Sequence, residues 1–228
     1  MKYYKVVNDI ESEVIIYTAK TNYSTTLFNR NKFENIIEFI VDSSEVLDLP
    51  LDMYVTINNS LVLQDEDYLR DFPKAQNGLY RLSDFITLNN SVYSKFKISE
   101  NELVKIIEGI LKIGIELFDE GYLWEYLYEK LRVKDNPCSY DSFFLFDSNE
   151  DCKFYVQNHK GGGKICEVEL LNTQRLFKED MNLLDSVENY NTFNEAKVII
   201  QRYWNGEGSN SPIFEYLFQG KCKLIPIE

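Results

Sequence analysis

The sequence has little of what metal sites and nucleophile–base pairs are usually built from. It holds one histidine, His159, and four cysteines, Cys138, Cys152, Cys166 and Cys222, with no close Cys-x-x-Cys pair among them. Structural zinc sites are preorganised by such pairs, so the spacing predicts reduced thiols and no metal. One histidine, with no nucleophile elbow near it, leaves little room for a Ser-His-Asp set. Basic residues are also short: 24 Lys and Arg against 37 Asp and Glu leave a net charge of -13. That charge repels phosphate backbones, and Lys153, Lys160 and Lys164 amount to a modest solvated loop, so nucleic acid is not an expected partner. An acidic surface suits solubility or a basic protein partner. No apolar run approaches the roughly 18 residues of a membrane span. Charges interrupt the opening "MKYYKVVNDIE" almost at once, so no secretory signal is read there and a cytoplasmic protein is expected. Internal repeats and low-complexity tracts are absent as well.

What the chain does have is apolar mass. Its 228 residues are 44% hydrophobic and 14% aromatic, enough to bury a core. "KYYKVV" (2–7) and "SEVIIYTA" (12–19) read as strands, because β-branched and aromatic residues fit a pleated surface. Phe33, Ile36, Ile37 and Ile40 recur at helical spacing and predict a helix over 30–43, with Asn29 or Asn31 at its cap. Residues 45–98 hold short mixed segments, with a turn at Asn77-Gly78. Ser99 and Glu102 form a capping box ahead of Leu103, Ile106, Ile107, Ile110, Ile113 and Leu117, and Gly121 is the expected stop. A second helix is read over 123–132.

Beyond residue 135 the pattern changes. "SFFLF" (142–146) is a strand, and residues 148–159 are a helix capped by Ser148 with Asp151 three residues on. Residues 164–171 are a strand, 192–206 a helix ended by Gly206, and 213–227 a strand or hairpin pair turning near Gln219-Gly220. The fold class is therefore α+β: one domain over 1–228, with small mixed or antiparallel sheets drawn from both ends of the chain and a mainly helical insertion over 30–135.

Three motifs invite a function and read better as structure. "HKGGGK" (159–164) resembles a phosphate loop, but a helix precedes the glycines and a strand follows, the reverse of what a phosphate cradle needs. Glycine capping a helix before a strand is the expectation there. Glu167 and Glu169 share one face of a strand, usually a solvated one. Tyr122, Trp124, Tyr126 and Tyr128 suit packing better than base stacking.

From residue 122 the order "YLWEYLYEKLRVKDNPCSYDSFFLFDSNEDCKFYV", "KICEVELL", "DMNLLD", "AKVIIQRYWNGE" and "FEYLFQGKCKLIPI" resembles a group of uncharacterised bacterial and phage domains, together with "KYYKVV" at the start. That group resembles the ADP-ribosyltransferase-like fold. The resemblance implies an NAD-using transferase that acts on a protein target, in phage defence or as a toxin, and needs no metal. It places Tyr4 and Lys5 at the NAD-holding position of the first strand. Ser139 and Tyr140, with Ser142 close by, fall at the step that meets nicotinamide and its ribose, and Glu215 falls at the catalytic carboxylate. Lys5 stands where such folds prefer His or Arg, and the Pro-Ser-Arg step becomes Pro137, Cys138, Ser139 and Tyr140 without the arginine. These departures set a second expectation beside the first: a catalytically inactive acidic interaction protein on the same scaffold, holding a basic protein partner.

Overall fold

Apolar periodicity decides the elements, and two packing modes result. The computed structural model describes residues 2–20, 30–62, 100–117, 120–188 and 191–227. The chain divides into two compact units, one of residues 1–27, 128–186 and 199–228 and one of residues 28–127 and 187–198. Asn29, the Asn77-Gly78 turn and the Ser99 cap fall outside the described residues.

The second unit is helical. It contains α1 (Arg30–Leu47), α2 (Leu51–Val62), α3 (Glu100–Ile113), the first part of α4 (Glu120–Lys130) and the first turns of α7 (Phe193–Trp204). Phe33, Ile36, Ile37 and Ile40 of α1 are buried, as are Leu103, Ile106, Ile107 and Ile110 of α3, which is the stripe their spacing predicts. α2 buries Leu51, Met53, Tyr54, Val55, Ile57 and Leu61 around most of its circumference, the pattern of a central helix. Ser44, fully buried, ties three segments together. Its hydroxyl donates to Leu49 O at 2.5 Å and accepts from Phe193 N at 3.2 Å. Gly121 is not a helix stop. α3 ends at Ile113, where Gly114 takes φ 107°, a left-handed value that only glycine adopts cheaply, and Gly121 lies inside α4. The helical stripe consequently ends before Leu117, which is exposed.

The first unit is an antiparallel, barrel-like sheet with helices on it. Its strands are β1 (Tyr3–Val7), β2 (Val14–Tyr17), β3 (Phe143–Phe146), β4 (Lys164–Asp180) and β5 (Phe214–Pro226). The order is β2-β5-β3-β1-β4, and β4 pairs with β5 as well, so four strands close on themselves. Closure depends on length. β4 does not end at residue 171 but runs to Asp180, and β5 is one continuous strand rather than a hairpin. The Gln219-Gly220 step is a kink in that strand. Gly220 has φ 149°, its N–H donates to Thr18 Oγ1 at 2.9 Å, and a Cβ there would overlap Asn172 O, opposite the register shifts between Leu170 and Arg175.

Alternation gives the sheet two apolar faces. Tyr3, Phe143, Leu145, Cys166, Val168, Tyr216, Phe218, Cys222 and Leu224 form one cluster from strands alone, the barrel interior. Val6 and Phe146 of the other face pack with Cys152 of α5 (Asn149–Tyr155) and Met181 of α6 (Met181–Asp185). Ser148 caps α5 by accepting from Asp151 N at 3.0 Å. α5 continues as a wider π-helical turn, Val156–Lys160, and Gly161 ends it at φ 70°. Among the described residues no helix is long and apolar enough to cross a membrane.

Candidate functional site

A cavity of about 400 Å³ lies within the first unit, lined by residues of both sheet faces and by the helices on the sheet. β1 brings Lys5 to it, β3 brings Phe143, Phe144 and Phe146, and β5 brings Glu215. Tyr155 and His159 come from α5 and its π turn, and Met181, Leu184 and Asp185 from α6. The walls are mostly aromatic and aliphatic, with a few convergent charged groups, which is the make-up of a small-molecule site.

Register explains how the charges meet. Phe146 stands opposite Tyr4 on one side and Glu215 on the other, and Glu215 stands opposite Glu179 of β4. One row therefore reads Tyr4, Phe146, Glu215, Glu179 across four strands, all on the helix-covered face. β1 meets β3 in register only at Tyr4 and Phe146. Just past that point, the Lys5 ammonium lies 4.9 Å from the Phe143 ring centre and 5.8 Å from that of Phe144.

Burial sets the protonation behaviour. It lowers the Lys5 ammonium to about 8, against the pull of Glu215, which favours the charged form. It raises the Glu215 carboxyl to about 7, with Lys5 opposing and the acidic Asp185 and Asp180 adding to the rise. Both groups thus titrate at or just above neutral pH, where acid–base groups do most. Glu179 is sealed from solvent and its carboxyl is raised well above the usual range, first by burial and then by Glu215. The Tyr203 hydroxyl is the neighbour that favours its charged form, yet neither carboxyl oxygen has a hydrogen-bond partner of good geometry. At the rim, His159 Nε2 is 3.4 Å from Asp185 Oδ2, and its ring stacks on Tyr155 at 5.5 Å between centres and 16° between planes. Asp180, also fully buried, is spoken for: it accepts from Asn182 N, Ile213 N and Ser209 N at 3.0, 2.9 and 2.6 Å and so fixes the β4–α6 corner.

The five residues singled out in the sequence are distributed as follows. Lys5 and Glu215 line the cavity; among the described residues, Tyr4, Ser139 and Tyr140 do not. Tyr4 packs on the Val6, Phe146, Cys152 and Met181 cluster. Ser139 opens a short 3-10 turn, and its N–H and hydroxyl both donate to Glu129 Oε1, at 2.8 and 2.6 Å. Arg132 Nε holds the other oxygen of that carboxylate at 3.0 Å, so Ser139 secures the turn leading into β3. Tyr140 is exposed, and Ser142 is buried with its hydroxyl donating to Cys138 O at 2.5 Å. Sequence reasoning missed Glu179, Asp185 and the role of His159. Only the full length of β4, with its "LFKED" end, could have pointed to Glu179.

The chain is thus an α+β protein built on an antiparallel barrel-like sheet, with a lysine and buried acids gathered at one aromatic-walled cavity. It belongs to the family described as protein of unknown function DUF2441, which matches residues 52–227. Glu179, Asp185, His159 and Glu215 lie inside that match, and Lys5 precedes it. No curated protein matches the chain.

Proposed function

We propose that the chain is an NAD-using, ADP-ribosyltransferase-like enzyme whose reacting centre is the Lys5–Glu215 cavity. The observation that carries this reading is the convergence of a buried carboxyl held near neutrality and a lysine on one cavity with aromatic walls. Phe144, Phe146 and Tyr155 line the cavity with aromatic rings, which suits a flat heterocycle such as nicotinamide. The Lys5 ammonium offers donors to a ribose hydroxyl or a phosphate oxygen. The bond that breaks is the one between nicotinamide nitrogen and ribose C1′, and its electron pair leaves with nicotinamide. The ionised Glu215 stabilises the positive charge that develops on the ribose, in a site where little water competes. The bond that forms joins C1′ to a nucleophile of the target protein, whose proton is released.

Ser139 and Tyr140 take no part in this chemistry. Ser139 braces the turn before β3 through Glu129, and Tyr140 remains available at the surface for a protein target. The test is nicotinamide release from NAD by the wild-type protein and by Glu215→Gln, which keeps shape and removes charge. Release by the wild type that falls about 100-fold or more in the variant is the expected result, the usual size of a lost transition-state charge contact. Equal release by both proteins sinks the assignment of Glu215. Absence of release, together with capture of a basic protein by the acidic surface, would favour a non-catalytic interaction protein.

A further inference from the structure

Glu179 is a carboxyl group with no solvent contact and, although the Tyr203 hydroxyl is close, no well-formed hydrogen bond to either oxygen; such a group is costly to keep, and costlier if charged. Its register partner on β5 is Glu215. Side chains directly opposite on neighbouring antiparallel strands stand with Cβ atoms about 4.5–5.5 Å apart, within reach of a hydrogen bond between two glutamates. A carboxylate can only accept, whereas a protonated carboxyl donates through its O–H. One proton held at Glu179 therefore gives it a donor and gives that donor an acceptor. The same bond would hold the Glu215 carboxylate in one orientation.

We propose that Glu179 and Glu215 form a carboxyl–carboxylate pair sharing one proton, in which Glu179 is the positioning acid that donates to and orients the Glu215 carboxylate. This deepens the transferase reading of the same cavity and rests on it for its catalytic meaning, though not for its existence. No bond but the shared hydrogen bond changes: Glu179 keeps its proton while Glu215 faces the substrate charged. The surroundings agree with a neutral Glu179. Facing it are Glu215 of β5 and Glu129 of α4, which favour its neutral form, and Tyr203 of α7, which favours its charged form; no cation is among these neighbours within the described residues. Facing Glu215 are Lys5 of β1, Asp180 of β4 and Asp185 of α6, while the phenols of Tyr128, Tyr155 and Tyr203 sense its charge. Lys5 is thus the cation that favours charge on Glu215 rather than on Glu179. Two like carboxyls this close titrate as a pair.

The experiment is a carbon-13 NMR titration of the glutamate carboxyls in the whole chain without NAD, with signals assigned from Glu179→Gln and Glu215→Gln. The wild type is expected to show Glu179 protonated at pH 7. Glu179→Gln keeps an N–H donor and should leave the Glu215 midpoint within about half a pH unit, whereas Glu179→Leu removes the donor and should raise it by about one unit or more. A downward move in Glu179→Leu means that Glu179 was charged and repelling, and no move means that the two do not interact; either overturns the pair. If Glu179→Leu does not fold, the wild-type titration decides alone: an ionised Glu179 at pH 7 overturns the proposal. Loss of nicotinamide release in the presence of an intact pair would count against the transferase reading and not against the pair.

Discussion

Glu215 is almost sealed from solvent, and its folded carboxyl holds a proton up to about pH 7, against an ordinary value of 4.5. Between those two values the folded protein binds more protons than the unfolded chain. Stability from this group is therefore complete below about 4.5 and is lost as pH rises through about 7, by about 3 kcal/mol in all. Glu215→Gln has no such dependence. Urea unfolding at pH 5 and pH 8 should show the variant gaining on the wild type by about that amount at the higher pH, and parallel losses in the two proteins would contradict it. At this scale the sequence was informative in a limited way. Lys5 and Glu215 are singled out by the resemblance in motif order and not by composition, and they do share a cavity. The same resemblance singles out Ser139, but its donors are turned to Glu129, a partner ten residues away that no local pattern reveals. Strand parity alone would have favoured Tyr4, which shares the face of Phe146 and Glu215; instead Tyr4 packs into the Val6–Phe146 cluster, and Lys5, of the opposite parity, lines the cavity.

Among the elements, the two long strands decide the architecture. The helices were legible because α1 and α3 carry wide apolar stripes at helical spacing, and Ser148 with Asp151 signals the start of α5. β4 and β5 were only half legible. Residues 171–176 are exposed and polar in part, so the alternation that marks a half-buried strand fades where β4 projects along β5. Gln219-Gly220 reads as a turn, yet Gly220 serves close approach of β4 instead. Gly220→Ala must place a methyl group against Asn172 O and hold alanine at φ 149°, so it should cost about 3 kcal/mol or more. Gly162→Ala, with open space around it, should stay within about 0.5 kcal/mol. Chemical denaturation of the two variants checks the pair, and equal stabilities would show that β4 and β5 do not cross as closely as described.

At the scale of the whole molecule, the net charge of -13 and the cavity pull in different directions. The acidic surface disfavours an anionic dinucleotide at long range, while Lys5 supplies a local cation within a mostly apolar enclosure. The α+β class was visible in the order of the segments. The closing of β4 onto β5 was not, because closure depends on pairing between residues far apart in the chain, from Asp180 with Phe214 to Cys166 with Pro226. The division into two compact units was hidden for a similar reason, since each is assembled from separate stretches of chain. The claim that unites these scales is that the Lys5–Glu215 cavity takes the nicotinamide ribose half of NAD. Isothermal titration calorimetry of NAD into the full chain tests it most directly. Saturable binding in the micromolar to millimolar range, weakened about tenfold by Lys5→Met, is the result predicted for loss of one charged contact. No heat of binding at millimolar NAD, or binding that Lys5→Met leaves unchanged, would contradict it.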